Sequence, residues 1–386
     1  MNFTETGMTR RNFTFPFIYG GEGVLRYLLL CLCLISLTSC RPNTPLFSDS
    51  KWQNEVKTVN PDLLYAPHYK DGKFFNPWMP MEHGGLARFL SWKLSARNAY
   101  TAEEKNAMPE FVPGLKARID ELPPDADFIA WIGHTTFLIR AGGEFWLMDP
   151  MFSDRALLPK RRTPPALSLS EMNALKGRLH IVISHNHYEH LDTASLAALP
   201  DDARVFVPLG LGTAVTASGK KQVAEMDWWQ TLDFGNGTTL VCLPAQHWSR
   251  RISQGTNSTL WASFLLITPN ATFYFGGDSG YFIGYKEFGK KYPGIDYALI
   301  SLGAYHPRWF MHYTHLDAKE ALQAVEDMGA KYLIPAHWGA FQLGDEPIGY
   351  PLIDLKRTMK ETNFDASRTL IMDIGQLLRV PGKNPQ

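Results

Sequence analysis

Residues 181–192 read IVISHNHYEHLD, and this segment is the most informative part of the chain about its fold. Its first three residues are apolar and, together with Ser184, predict a strand. Four potential metal ligands follow within six residues, where this strand ends: His185, His187, Glu189 and His190. The first two histidines are two positions apart, so they can project to one side of an extended segment. A predicted helix begins directly afterwards, at Thr193.

This cluster predicts a metal site. Imidazole and carboxylate ligands together suit zinc, and they also suit iron or manganese. The alternative is a polar loop that is rich in histidine by chance. The position at the end of an apolar strand favours the metal site, because packing gives no reason to concentrate such side chains there.

Three later segments each place one histidine or aspartate just past an apolar strand. They are PAQHW at 244–248, GGDSG at 276–280 and PAHWG at 335–339, and they contribute His247, Asp278 and His337. Catalytic side chains often lie on loops at such strand ends. Any one of these residues alone is more often structural, but together with the first cluster they indicate one shared site.

Short apolar runs separated by turn signals predict strands from about residue 127 onward. They are Phe128–Trp131, Thr136–Ile139, Phe145–Met148, Ile181–Ser184, Arg204–Val207, Thr238–Leu243, Ala262–Ile267, Thr272–Phe275 and Tyr297–Ser301. Predicted helices lie at Thr193–Leu199, Ala318–Met328 and Leu352–Glu361. Strands in hairpins, followed by strands alternating with helices, predict an α/β fold of two sheets with helices outside.

The motif set resembles the metallo-β-lactamase superfamily, whose signature is HxHxDH followed by separated His, Asp and His. A closer resemblance is to the family of N-acylphosphatidylethanolamine-hydrolysing phospholipase D and its bacterial relatives. It is carried by WIGHTTFLI (131–139), MDPMFSDRA (148–156), HNHYEHLD (185–192), PAQHWS (244–249), GGDSGY (276–281), PRWFMHYTHLD (307–317) and HWGAF (337–341). These motifs run in the family's order over roughly 127–345 and imply an αββα sandwich.

The resemblance implies a ligand set for two metal ions, with zinc expected and iron or manganese as alternatives. His185, His187 and His247 would bind the first ion; Glu189, His190 and His337 would bind the second; Asp278 would bridge them. One residue departs from the family pattern, since Glu189 stands where HxHxDH has aspartate. An extra methylene moves the carboxylate, so the second site is expected to be weaker, differently coordinated or filled by another metal.

The implied chemistry is hydrolysis of a phosphodiester. Two divalent cations can hold a hydroxide between them at neutral pH, so the reaction needs no nucleophilic side chain. His315 matches a family histidine near the active site and is expected to orient the phosphate or help protonate the leaving alcohol, or else to cap the helix at 318. Asp149 is expected to orient a ligand histidine, and His134 either does the same or is structural.

The N-terminus predicts export and lipidation. Residues 27–38 form an apolar run that is shorter than the ~20 residues a membrane span needs. The sequence that follows, Leu37-Thr38-Ser39-Cys40, resembles the lipobox of bacterial lipoproteins, which implies cleavage before Cys40 and lipid attachment to it. An ordinary secretory signal or an uncleaved anchor are the alternatives. Arg41 after the lipidated cysteine favours the periplasmic side of the outer membrane.

Composition limits the remaining possibilities. The 386 residues are 45% hydrophobic, which is enough for a sizeable core, and 38 basic residues balance 38 acidic ones. Zero net charge argues against nucleic-acid binding through bulk positive charge. The predicted organisation is a signal peptide at 1–39, a tether at 40–75, a segment packing on the catalytic domain at 76–126, and the catalytic domain at 127–386.

The leading functional hypothesis is a membrane-anchored phospholipase D that converts N-acylphosphatidylethanolamine to N-acylethanolamine and phosphatidic acid. A lactonase or small phosphoester hydrolase of the same fold is the second hypothesis, and a non-catalytic envelope lipoprotein is the third. The expected partners are a phospholipid substrate and, through the lipid anchor, a membrane. The oligomeric state stays open, with a homodimer as one option.

Overall fold

A computed structural model of the protein describes residues 47–81, 85–252 and 254–382. The predicted signal peptide and Cys40 lie outside the described residues. The described residues up to 85 and from 97 onward belong to one compact unit, whereas residues 86–96, most of the helix Gly85–Leu94, belong to another. No helix in the described ranges combines the length and apolar character needed to cross a membrane.

Two large mixed sheets dominate the larger unit. A separate small hairpin consists of β1 Tyr69–Lys70 and β2 Lys73–Phe74. The strands of the two large sheets are β3 Phe128–Gly133, β4 Thr136–Ala141, β5 Glu144–Met148, β6 Leu179–Val182, β7 Arg204–Pro208, β8 Gln222–Met226, β9 Thr231–Gly235, β10 Thr238–Leu243, β11 Ser263–Ile267, β12 Thr272–Phe275, β13 Tyr297–Ser301, β14 Tyr332–Ala336 and β15 Leu377–Arg379. The first sheet has the order β15-β3-β4-β5-β6-β7-β8 and the second β14-β13-β12-β11-β10-β9.

Both sheets change from antiparallel to parallel pairing partway across. In the first sheet, β5 to β8 are parallel neighbours. In the second sheet, β12, β13 and β14 are parallel. The carboxyl ends of parallel strands lie at one edge of a sheet, which is where loops can gather side chains for chemistry.

Helices of the larger unit cover the two sheets, whereas most of the helix Gly85–Leu94 belongs to the other unit. The α-helices are Asp49–Lys57, Gly85–Leu94, Ala102–Asn106, Leu115–Asp120, Leu169–Asn173, Thr193–Ala198, Gly212–Ala217, Gly284–Lys291, Arg308–Met311, Ala318–Met328 and Tyr350–Thr362, with short 3₁₀ turns at Pro61–Tyr65 and Ala366–Arg368. The predicted helices at 193, 318 and 352 are therefore present. Asp317 caps the second of them, because its side chain accepts from the Glu320 N–H and the Glu320 side chain reaches back.

Alternation along the strands builds the core. Ile129 and Trp131 point into a cluster that also holds Leu240 and Phe264 from the second sheet, so the two sheets pack face to face. Their neighbours, such as Ala130, point into a second cluster with residues of the outer helices. Every residue of β3 and β4 is buried. This arrangement confirms the predicted αββα sandwich.

The predicted tether ends earlier in the chain than residue 75. Helix Asp49–Lys57 buries Trp52 and Val56, and the hairpin of β1 and β2 buries Phe74, all within the main core cluster. The burial of these side chains could not be predicted, because they are few, follow no regular period and lie in a polar, proline-containing sequence. The described part of this segment is thus packed structure, whereas residues 40–46 lie outside the described residues.

Candidate metal centre

Three histidines from two sheets form the first donor cluster. His185 and His187 follow β6, and His247 follows β10; their donor atoms all lie within 4.8 Å of one another. The His187 Nδ1 atom lies 2.8 Å from His185 Nε2 and 3.2 Å from His247 Nε2. Two nitrogens that share a zinc ion at 2.0–2.1 Å with tetrahedral angles are about 3.3 Å apart, so the spacing fits one ion.

A second donor cluster lies beside the first. It contains Glu189, His190, Asp278 and His337, again with donor atoms within 4.8 Å of one another. The Asp278 Oδ2 atom is 3.2 Å from both His190 Nε2 and His337 Nε2, and 3.9 Å from His247 Nε2 of the first cluster. The structure therefore brings all seven sequence-predicted ligands together, with Asp278 between the two clusters.

Hydrogen bonds at the far side of the rings turn the donor atoms inward. His247 Nδ1 donates to the Thr314 carbonyl, His190 Nδ1 donates to Asp149 Oδ2 at 2.6 Å, and His185 Nδ1 lies 2.9 Å from Ser184 Oγ. Each bond leaves the Nε2 lone pair of that ring directed at the cluster. Such outer partners are the usual way that proteins fix the tautomer and orientation of metal-binding histidines. The residues present thus fit a pair of metal ions.

Asp149 organises the beginning of the histidine loop. Besides His190, it accepts from both the backbone N–H and the hydroxyl of Ser184, each at 2.7 Å. Asp149 lies in the turn after β5 and is fully buried. Its φ of +39° is a backbone conformation that non-glycine residues rarely adopt. This position agrees with the predicted orienting role.

Burial sets the charge state of the imidazoles. Desolvation lowers the pKa of His187 to about 4 and lowers the pKa of His185 and His247 well below the usual range, which leaves these rings neutral. Burial also acts against a proton on His190, but the carboxylates of Asp278 and Asp149 raise its pKa well above the usual range. Neutral imidazole is the form that binds metal.

The other predicted site residues are also near the clusters. His315 Nδ1 lies 3.9 Å from Asp278 Oδ2, and desolvation lowers the pKa of His315 to about 3. The His134 ring centroid lies 4.3 Å from that of His337. The helix at 318 is capped by Asp317, which removes the alternative role of His315 as the cap. Cys242 is a buried free thiol in β10 and belongs to neither donor cluster.

The sequence did not predict several residues that support the site. Ser301, the last residue of β13, donates to Asp278 Oδ1 at 2.8 Å. Asn76 is buried, donates to the His247 carbonyl and accepts from the Trp261 indole N–H, each at 3.1 Å. Serine and asparagine are common at strand ends and in loops, so neither residue gives a signal before the fold is known. The end of a predicted strand was the only available sign for Ser301.

Comparison with known proteins identifies the class. The family described as Beta-lactamase superfamily domain matches residues 146–338, half of the chain. A solved structure described as a novel metallo hydrolase from the archaeon Ignicoccus hospitalis has a TM-score of 0.52 at 18% identity, covering 67% of this chain and all of that one. The chain belongs to the metallo-β-lactamase superfamily and is a metal-dependent hydrolase of that fold.

One of its relatives within the superfamily is named for a specific reaction. N-acyl-phosphatidylethanolamine-hydrolyzing phospholipase D 1 of Caenorhabditis elegans is 31% identical over 346 residues, which cover 82% of this chain and 95% of the relative. An uncharacterized protein of Mycobacterium tuberculosis is 34% identical over 306 residues, covering 74% of this chain and 78% of the relative. Homology to a phospholipase D of this type therefore extends well beyond the residues that the family match covers.

Proposed function

We propose that this protein is a zinc-dependent phosphodiesterase of phospholipase D type that hydrolyses N-acylphosphatidylethanolamine to an N-acylethanolamine and phosphatidic acid. The observation that carries the proposal is the pair of adjacent donor clusters in one site, with Asp278 of the second cluster 3.9 Å from His247 of the first. The substrate class is supported by the relative of 31% identity that is named for this reaction. The seven ligands named above would hold the two ions.

The side chains of the site would determine where the hydrolysis takes place. Two divalent ions held by the seven ligands would supply an acidified water as nucleophile and positive charge against the phosphoryl oxygens. The water oxygen forms a bond to phosphorus, and the phosphorus–oxygen bond to the N-acylethanolamine breaks. The proton that the water loses ends on the leaving alcohol. Asp278 and the histidines fix where this exchange takes place, and Asp149 holds the His190 ring for it.

His315 is the side chain best placed to act on the substrate. Its ring centroid lies 5.4 Å from that of His247 and 5.6 Å from that of His337, so it stands between histidines of the two clusters. His315 Nδ1 has no hydrogen-bond partner in the described structure. We assign it the role of donating a hydrogen bond to a phosphoryl oxygen, which would orient the phosphodiester.

The test is turnover of N-acylphosphatidylethanolamine in water labelled with heavy oxygen. We expect N-acylethanolamine as a product, with the heavy oxygen in phosphatidic acid, because the bond to phosphorus is the one that forms. His185→Ala should abolish turnover. His180→Phe is the control, because His180 is equally buried and bonds to Glu144 rather than to a donor cluster. Absence of N-acylethanolamine from the metal-loaded protein would refute the proposal.

The alternatives give different results in the same experiment. Turnover of a lactone or a small phosphoester, without turnover of the phospholipid, would indicate the second hypothesis of a different hydrolase of this fold. Fewer than one tightly bound metal ion per chain, with no turnover of any substrate, would indicate the non-catalytic lipoprotein. Elemental analysis of the purified chain therefore accompanies the assay and also identifies the metal.

We further propose that lipid on Cys40 anchors the protein to the periplasmic side of the outer membrane. The support is the lipobox-like sequence, Leu37-Thr38-Ser39-Cys40, and the arginine that follows it. Two or more acyl chains on one cysteine suffice for stable anchoring. We expect wild type to incorporate labelled fatty acid and to fractionate with the outer membrane, and Cys40→Ser to do neither. Label in the Cys40→Ser protein would contradict the assignment.

A further inference from the structure

Arg308 lies in the segment 307–317, PRWFMHYTHLD, of which the proposed function uses His315 alone. The Arg308 side chain is 13% exposed, although arginine is among the residue types that folding rarely buries. Its Nη2 atom donates to Glu320 Oε2 at 2.8 Å, and Nε lies 3.3 Å from Asp317 Oδ2. Its Nη1 atom donates to the His315 carbonyl at 2.9 Å. One guanidinium thus joins the His315 backbone to two carboxylates at the start of the helix that follows.

Stability alone gives only a weak reason for this arrangement. The Glu320 side chain is 3% exposed, so both charges of the pair are largely removed from water. The free energy needed to dehydrate two such charges can exceed the attraction between them, and apolar residues of similar size often stabilise a protein as well. A guanidinium differs from those substitutes because its planar, rigid set of donors fixes the directions of several bonds at once. The geometry that Arg308 imposes is therefore the property to explain.

The backbone that Arg308 holds carries an outer bond of the first donor cluster. The Thr314 carbonyl, one residue before His315, accepts from His247 Nδ1 at 3.1 Å. That bond leaves His247 Nε2 directed at the cluster, as the outer partners of metal-binding histidines usually do. Because Thr314 and His315 share a peptide bond, a shift of the carbonyl bound by Arg308 would also displace the partner of the His247 ring.

The same stretch of backbone contacts the second donor cluster. The Leu316 N–H donates to the Ser279 carbonyl at 3.1 Å, and Ser279 directly follows Asp278. The His315 ring also lies near this loop, since its Nδ1 atom is 3.9 Å from Asp278 Oδ2. Residues 314–316 therefore contact the ligand loops of both clusters.

We infer that Arg308 is a positioning residue, which fixes residues 314–316 so that His315 meets the substrate and His247 meets its metal ion. This inference rests on the proposed metal site and on the proposed role of His315. Lysine would keep the charge opposite Glu320, but its ammonium group lacks the planar fork that holds a carbonyl and two carboxylates in fixed directions. Arg308→Lys therefore separates the geometry from the charge.

The first experiment is a double-mutant cycle on turnover of N-acylphosphatidylethanolamine at saturating metal. Arg308→Lys should lower kcat/KM by at least about 10-fold, because His315 is misplaced. In a His315→Ala background the same change should cost less than about 3-fold, since the group that it misplaces is gone. Arg368→Lys is the matched control and should behave as wild type, because Arg368 bonds in the same way, to Glu326 and the Ala330 carbonyl, at the other end of the helix.

The second experiment needs no substrate. The full chain is stripped of metal with a chelator and titrated with cobalt, of which wild type should bind two equivalents. Arg308→Lys should weaken one equivalent by about 10-fold, because the partner of the His247 ring is displaced, and should leave the other within about 2-fold. Arg368→Lys should change neither equivalent.

Either of two results would overturn the inference: wild-type cobalt affinities in Arg308→Lys, or equal losses of turnover with and without His315. If Arg308→Lys does not fold, the double variant Arg308→Met/Glu320→Leu, which replaces the ion pair by apolar side chains, is measured in the same way with the same expectations. A wild-type chain that binds cobalt but releases no N-acylethanolamine would refute the proposed substrate, and the cobalt titration would then decide the inference alone. A chain that binds no metal would refute both proposals.

Discussion

Glu189 is the residue at which this chain departs from the usual motif. Its carboxylate is half-buried and lies within 4.8 Å of the donor atoms of His190, Asp278 and His337. We predict that Glu189→Asp keeps or raises phospholipid turnover, because the carboxylate is retained at the length that the family uses. Glu189→Gln should lower affinity for one metal ion, because the negative charge is lost. Metal titration and turnover of both variants check this.

The aspartate variant also has an informative opposite result. Loss of turnover in Glu189→Asp, with metal binding lost as well, would mean that the longer side chain is matched to this site. That outcome would favour a different coordination geometry at the second ion.

Asp149 is a buried carboxylate that connects Ser184 to His190 through its hydrogen bonds. It accepts from three donors at once: Ser184 N, Ser184 Oγ and His190 Nδ1. Asp149→Asn replaces one accepting oxygen by a donor, which opposes one of these bonds. We predict a ~10–100-fold loss of metal affinity, measured by chelator competition. Asp192→Asn is the control, since Asp192 caps the next helix; an equal loss there would point to general disturbance of the loop.

The individual donors were predictable because histidine and carboxylate have few reasons to concentrate at strand ends. Their supporting residues were not. Ser184 was seen only as the last residue of a strand, although it bonds to Asp149 and lies 2.9 Å from His185 Nδ1. A serine is chemically unremarkable until the partner, which here is 35 positions away, is known to be adjacent.

Side chains of the segment around Asn76 hold the loop that carries His247 in place through hydrogen bonds. Asn76 donates to the His247 carbonyl and to the Tyr313 hydroxyl at 3.1 Å each, and Trp78 donates to Gln246. We predict that Asn76→Ala speeds metal release to a chelator by about 10-fold, because one ligand loop loses its anchor. Asn270→Ala is the control, since Asn270 bonds to Asp127 away from the site. Equal release rates in the two variants would contradict the role.

The turn after β12 requires glycine at position 277. Gly277 has a φ of +54°, and a Cβ there would lie 2.5 Å from the Ser184 Cβ. We predict that Gly277→Ala destabilises the protein by about 1–3 kcal/mol beyond the control and lowers metal affinity, since the two donor loops are forced apart. The control is Gly142→Ala, which has a φ of +62° but a nearest contact of 3.7 Å. Urea unfolding of both measures the difference, and equal stabilities would refute the steric argument.

Central elements were predicted from sequence more completely than edge elements. The apolar runs of β3, β4 and β5 are almost wholly buried and gave clear signals. The edge strands β8 and β9 were missed, because most of their residues are exposed or only partly buried and their sequences, QVAEM and TLDFG, carry charge. β15 was missed as well, since its three residues pair with β3 from almost the other end of the domain.

At the scale of the whole molecule, the family resemblance predicted the sandwich, and the packing explains why the site forms. The seven predicted ligands come from loops after β6, β10, β12 and β14, which belong to two different sheets. Only folding of both sheets gathers them. No local pattern could predict that residues 49–79 also pack on this core, because their contacts are made by scattered aromatic side chains such as Trp52 and Trp78.

Because the donors meet only in the folded chain, metal binding should stabilise the whole domain. We predict that removing metal with a chelator lowers the free energy of unfolding, by about 2.7 kcal/mol relative to protein at a free metal concentration of 100 times Kd. Burial opposes a proton on His190, but Asp278 and Asp149 raise its pKa, so metal must displace a proton there. The stabilisation should therefore shrink as pH falls. Thermal unfolding with and without metal at several pH values tests this prediction. Metal should raise the unfolding midpoint of His185→Ala by less than that of wild type. Equal midpoints for metal-loaded and metal-free wild type would show that the ions do not link the sheets.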